Sequence, residues 1–155
     1  GDKFNDDIAT YARDEFKLLL GEKTAEDIKI AIGSAYELKG ELEAAIKGRD
    51  LITGLPKEVI VNDSHIREAM QRSINTIVDA IKDAVEETPP ELIADLMQKG
   101  IILAGGGSLL RGLDTLIQES TELPTRVVDD PLTVVVRGCG IILEDIDNLR
   151  EILVN

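Results

Sequence analysis

Two groups of residues have the types and the spacing to do chemistry. The first is Gly105-Gly106-Gly107-Ser108, which follows the apolar run Ile101-Ile102-Leu103-Ala104 and precedes Leu109, Leu110 and Leu113 at helical spacing. Four apolar residues are too few for a helix and suit a short strand buried on both faces. A strand, a glycine turn and a helix lay bare backbone N–H groups, and glycines let a phosphate or a nucleotide approach the main chain. Ser108 is expected to cap the following helix, with the positive end of its dipole beside the glycines. The alternative is a tight turn without a ligand, and the spacing fits neither GxGxxG nor GxxxxGK[ST]. The second group is Glu26, Lys29 and Gly33. Glu26 and Lys29 share a helix face, with Gly33 one turn further on. A carboxylate and an ammonium beside a residue without a side chain could hold a ribose and admit an adenine ring. The alternative is a surface ion pair worth a few tenths of a kcal/mol.

Other chemistry-bearing residues point nowhere in particular. Asp6/Asp7, Glu86/Glu87 and Asp129/Asp130 are adjacent in sequence and splay apart on helices, so they mark solvated faces rather than an acid and a base. His65 reads as a surface residue at a helix start, and no cluster has metal-ligand spacing. Ser108 has no histidine near it in sequence to make it a nucleophile. Cys139 is the single cysteine, which excludes an intramolecular disulfide; between Gly138 and Gly140 it reads as a small residue buried in helix packing. The sequence therefore supplies neither catalytic nor metal-binding candidates.

Composition narrows the partners. The 155 residues suffice for one domain or two small lobes sharing a core. Aromatic residues make up only 3%, so the core must be aliphatic and the stacking platforms of single-stranded nucleic acid binding are missing. A net charge of −13 repels phosphate backbones and anionic lipid heads, so neither nucleic acid nor direct membrane contact is expected of this segment. No apolar run approaches about 18 residues and no signal-peptide pattern is present, which reads as a cytoplasmic chain. The first residue is Gly1 rather than methionine, which reads as a processed product or a piece of something longer.

The elements that must position the two groups can be read from periodicity. Asp2 to Leu20 is expected to form an amphipathic helix that Gly21 stops, and Thr24 to cap a second helix ending at Gly33. Glu41 to Asn62 switches to alternation around a turn-rich Gly48–Pro56, which predicts an antiparallel pair. From Asp63 or Ser64 to about Glu87, Ile66, Met70, Ile74, Ile77, Val78, Ile81 and Val85 recur at helical spacing and predict the longest helix. Thr88-Pro89-Pro90 stops it, and a short helix then runs to Gly100. Beyond the strand at Ile101–Ala104, the spacing predicts a helix to Thr121 and a strand at Thr125–Val128. A helix carrying Val134, Val135, Gly138 and Ile141 follows, and a weaker one over Asp145–Leu153.

Gly21-Glu22-Lys23-Thr24-Ala25-Glu26-Asp27-Ile28-Lys29, Thr53-Gly54-Leu55-Pro56-Lys57, Thr88-Pro89-Pro90-Glu91-Leu92 and Leu103 to Asp114 together resemble the MreB family of bacterial actin homologues. Asp130-Pro131-Leu132 and Arg137-Gly138 continue the likeness along the chain. The resemblance implies an α/β, helix-rich, actin-like ATPase (ribonuclease H-like) fold with short strands, of which this chain looks like the C-terminal two subdomains. Residues 1–68 would be an outer small lobe of helices and a hairpin. Residues 69–155 would be an inner lobe with the adenosine-binding glycine loop. It implies ATP or ADP as cofactor, with Mg2+ in the full-length protein. Its nucleotide-binding residues would be Glu26, Lys29, Gly33, Gly105, Gly106, Gly107 and Ser108. It further implies filaments of like copies under the membrane, cell-shape and wall-synthesis proteins as partners, and maintenance of rod shape. The alternatives are another actin-superfamily ATPase, of sugar kinase or chaperone type, and a protein-interaction lobe that binds no nucleotide.

In the family the phosphate-binding hairpins, the magnesium-holding aspartate and the water-activating glutamate would precede Gly1. Strands that pair with Ile101–Ala104 would precede it too, so the isolated chain is expected to self-associate through that apolar edge. An adenosine loop holds a base but places neither a metal nor an attacking water. The isolated chain should therefore release no phosphate from ATP above the buffer blank. Steady release that Lys29→Ala abolishes would contradict this.

Overall fold

A computed structural model describes residues 1–144, and the helix expected over 145–153 lies outside the described residues. The chain opens with helix α1 (Asp2–Phe16), which buries Phe4, Ile8 and Ala12 on one face. The helix ends before the expected Leu20 because Lys17 takes a left-handed conformation (φ 53°). Leu18–Leu19 then form a short strand, β1, opposite Asp50 and Arg49. Leu18 is wholly buried, so pairing with the sheet outcompetes one more helical turn. Gly21 consequently caps the start of α2 (Glu22–Ile32), and Thr24, expected as the cap, lies inside its first turn.

Strands β2 (Glu43–Asp50) and β3 (Pro56–Asn62) form the expected antiparallel pair, in a sheet of order β1-β2-β3. Ala44 faces Val61 and Ile46 faces Val59. The alternation buries Ile46 and Val61 and leaves Glu43, Lys47 and Glu58 in solvent, as a sheet with one wet face requires. The Asp50 carboxylate closes the connecting turn by accepting from the backbone N–H groups of Ile52 (2.7 Å) and Thr53 (3.2 Å), which hold its pKa below the usual carboxylate range.

Helix α3 (Asp63–Glu86) is the common wall of the fold. Its start is fixed by a capping box: Asn62 Oδ1 accepts from the His65 N–H, and His65 Nδ1 accepts from the Asn62 N–H. With 24 residues it is about 36 Å long. α1 runs antiparallel along it, with Tyr11 donating to Glu68 and Ser73 to Asp7. One core cluster runs from Phe4 and Ile8 through Ile66, Met70, Ile74 and Val78 to Leu113 and Ile117.

α4 (Pro90–Lys99) begins at Pro90, as the Pro-Pro pair predicts. β4 (Ile101–Leu103) and β5 (Thr125–Val127) pair in parallel, and α5 (Leu113–Thr121) lies between them in sequence. β4 is not buried on both faces, contrary to the sequence reading: Ile102 is 51% exposed. The pleat sets the difference: Ile101 and Leu103 share one face and are half-buried, whereas Ile102 stands on the opposite face, which is left in solvent. α6 (Val134–Glu144) buries none of its residues, and Cys139, expected in packing, is exposed. Val134 and Ile142 are half-buried, whereas Val135, Val136, Ile141 and Leu143 are exposed.

Among the described residues the most buried ionic contact sits where α3 meets the rest. Asp63 accepts from the Leu42 N–H (3.1 Å) and from Arg67 (2.9 Å), whose guanidinium also donates to Ser34 Oγ (2.9 Å) and the Tyr36 carbonyl (3.4 Å). Burial pushes the Asp63 carboxyl up, but the Leu42 N–H and Arg67 together outweigh it and hold the pKa below the usual range. A depressed folded pKa contributes stability above about pH 4, lost as pH falls through the folded value. Asp63→Asn should therefore flatten the acid side of the stability-versus-pH curve. Arg67→Met, which leaves a buried carboxylate short of a partner, should cost about 2 kcal/mol at neutral pH by urea denaturation.

Candidate functional site

The last turn of α2 carries Lys29. Its ammonium donates to Asn5 Oδ1 (2.7 Å) and to the Gly1 carbonyl (3.4 Å), both at the start of α1. Glu26 does not meet it. That carboxylate lies 3.6 Å from Lys23, and its side chain is 45% exposed. α2 leaves its last turn at Gly33, where an added Cβ would stand 2.3 Å from the Lys29 carbonyl. The helix end itself thus demands a glycine there.

The next three residues bring the second group to the first. Ala35 donates its N–H to the Arg111 carbonyl (2.7 Å), and Ser34 and Arg111 form a parallel bridge. The Arg111 guanidinium donates to the carbonyls of Ile30 (3.0 Å) and Gly33 (3.3 Å). Gly112 follows at φ 73°, and a Cβ on it would lie 2.6 Å from the Cβ of Tyr36.

The glycine loop is a compact turn. Gly105 has φ 84° and donates its N–H to the Pro131 carbonyl (2.7 Å); Gly106–Leu109 then form a single 3-10 turn. Ser108 is buried and caps no helix: its hydroxyl (2.6 Å) and its N–H (3.1 Å) both donate to the Gly105 carbonyl. α5 starts only at Leu113, capped by the left-handed Gly112, because the chain straightens at Leu110 before re-entering a helix. Among the described residues the N–H groups of Gly106 and Gly107 meet no acceptor. A Cβ on Gly105 or Gly107 would touch nothing within 4 Å, so this side of the loop is open.

Between the two groups lies a cleft of about 210 Å³. Gly1, Phe4, Lys29, Ile30 and Gly33 form one wall, and Gly106, Gly107, Leu109, Leu110 and Arg111 the other. Of the residues named from sequence, Lys29, Gly33, Gly106 and Gly107 line it; Glu26, Gly105 and Ser108 do not. Sequence reasoning assigned no role to Arg111, Phe4 or Asn5. Arg111 stands within the Leu-Leu-Arg-Gly run after the glycines, which was a usable signal, whereas nothing in the spacing links Asn5 to Lys29. The lining holds two cations and no carboxylate, which suits hydroxyls, ring nitrogens or a phosphate. Among the described residues no group of three His, Cys, Asp or Glu side chains could hold a metal ion.

The crossing at Gly112 should be intolerant of any side chain. Gly112→Ala combines a left-handed φ with a clash against Tyr36 and should cost about 2 kcal/mol or more, read as a lower urea midpoint.

Comparison with known proteins places this architecture. The family model for the MreB/Mbl protein matches residues 1–151. The chain is 44% identical over 151 residues to the cell shape-determining protein Mbl of Bacillus subtilis (strain 168), covering 97% of this chain and 45% of that protein. It is 46% identical over 147 residues to the cell shape-determining protein MreB of Escherichia coli (strain K12), covering 95% of this chain and 42% of that one. The crystal structure of MreB5 of Spiroplasma citri bound to ADP superposes with a TM-score of 0.91 at 38% identity, covering 97% of this chain and 46% of that one. A MamK double helical filament shares the fold at 21% identity, with a TM-score of 0.64 over 83% of this chain and 39% of that one. The chain thus spans less than half the length of these relatives. It belongs to the MreB/Mbl family and carries part of that family's actin-like fold.

Proposed function

We propose that this chain forms the nucleoside-binding side of an ATP-binding, actin-like cell-shape protein. The observation that carries the reading is the convergence of Lys29 and Gly33 from α2 with Gly106 and Gly107 from the glycine loop on one cleft. The MreB5 structures hold ADP and the ATP analogue AMPPNP, which supports a nucleotide as the ligand. Lys29 donates to a ribose hydroxyl or an adenine nitrogen from one wall. The free N–H groups of Gly106 and Gly107 and the open space beside them receive the nucleoside from the other. Glu26, one turn before Lys29, takes a ribose hydroxyl by turning away from Lys23. Gly105 and Ser108 shape the loop without touching the ligand.

In this reading residues 1–68 act as the outer lobe and 69–155 as the inner one, with the nucleotide between them. The whole protein hydrolyses ATP with Mg2+, whose ligands we assign to residues outside this sequence. Its copies polymerise into cytoskeletal filaments that maintain cell shape together with wall-synthesis proteins. The filaments lie in the cytoplasm against the membrane. Among the described residues no helix is long and apolar enough to cross that membrane, so attachment would come from elsewhere in the protein or from a partner.

Calorimetry on the full-length protein tests the nucleoside assignment. Adenosine should compete with ADP, and Lys29→Ala should weaken ADP binding about tenfold. Gly107→Val should fold normally, because its Cβ meets nothing, yet close the cleft to ADP. Unchanged ADP affinity in both variants would overturn the assignment.

A further inference from the structure

We infer that Asn5 is a positioning residue for the nucleotide, acting through Lys29; the inference rests on the nucleoside reading above. Asn5 is 5% exposed, a buried amide beside Phe4, Ile8 and Ala12, the other buried residues of α1. Burying an amide is costly unless it is paired, and its carbonyl oxygen pairs with Lys29 Nζ at 2.7 Å. The contacting atom must be the oxygen, because an ammonium only donates.

The geometry gives this contact a use beyond packing. A lysine side chain has four rotatable bonds and loses much freedom when a ligand immobilises it. Asn5 holds the ammonium at the wall of the cleft before any ligand arrives. The Gly1 carbonyl, 3.4 Å away, takes a second N–H, and the third remains for a ligand. α1 thereby becomes part of the site although its own side chain at the cleft, Phe4, offers a ligand no polar group.

The test is a double-variant cycle on ADP binding by the full-length protein, with thermal midpoints measured beside it. Asn5→Ala should weaken ADP about fivefold in the otherwise unaltered protein and have no effect in a Lys29→Ala background. Asn5→Asp keeps the acceptor and should bind ADP within about twofold of the unaltered protein. Asn5→Ser, too short to reach Lys29 but still polar, should behave like the alanine variant and serves where that variant fails to fold. An equal loss in both backgrounds, no loss at all, or an aspartate variant as weak as alanine would overturn the inference alone. No affinity lost on Lys29→Ala alone would likewise overturn this inference, whereas no ADP binding by the unaltered protein would overturn the nucleoside reading and this inference with it.

Discussion

The backbone contact between Ala35 and Arg111 is the constraint on which the site depends. It joins two runs of chain that are far apart in sequence, and each has only a few residues in which to approach the other. A buried N–H must find an acceptor, and Ala35 finds it on Arg111 rather than within its own element. Everything nearby accommodates that choice. Gly112 has no Cβ because Tyr36 occupies the space, and Ser34, wholly buried, is satisfied by Arg67. Arg67 is in turn held by Asp63 at the start of α3. Arg111 closes the loop by donating back to the end of α2. The separation of Lys29 from the glycine loop is therefore fixed by a backbone contact and a chain of part-buried hydrogen bonds rather than by the mobility of two side chains.

Much of this was legible in the sequence, and the reasons differ from element to element. The 3.6-residue stripe of α3 and the alternation of β2 and β3 are long enough to be unambiguous, so both elements lie where periodicity puts them. The end of α1 was not legible. Leu18 and Leu19 continue the helical stripe, and only pairing with Asp50 and Arg49, some thirty residues on, makes them a strand. The start of α5 was not legible either: Ser108 is a good cap by type, but it falls inside a 3-10 turn, and the extended Leu110 separates it from the helix that begins at Leu113. Glu26 and Lys29 share a helix face as their spacing says, yet each has a better partner elsewhere. Spacing reports which residues can meet, and competition among nearby partners decides which do.

The uncovered apolar surface has a pattern of its own. Ile77, Ile81 and Val85 continue the stripe of α3 with the same period as the buried Ile66, Met70 and Ile74, but none of the three is fully buried. They border a groove with Leu96 and with Ile101, the first residue of β4. Val135, Val136, Ile141 and Leu143 of α6 are exposed as well. A stripe as regular as this is the signature of a face that packs. The same helix thus lies in a closed core at its first half and borders an open groove at its second.

Charge separates the cleft from the surface around it. The chain carries −13 overall, yet the cleft is lined by Lys29 and Arg111 and by no carboxylate. Both cations are held by neutral oxygens: an amide and a carbonyl for Lys29, two carbonyls for Arg111. The surface ion pairs, by contrast, match lysine with carboxylate and cancel, as Lys23 does with Asp27 and Lys47 with Glu58. Neutral acceptors fix a cation without discharging it, so Lys29 and Arg111 stand at the cleft with their charge intact. Acidic groups elsewhere act through solvent and are screened beyond about 8 Å at physiological salt, whereas the two cations act at contact distance. An acidic protein can in this way repel polyanions at long range and still receive a small anion at one cleft.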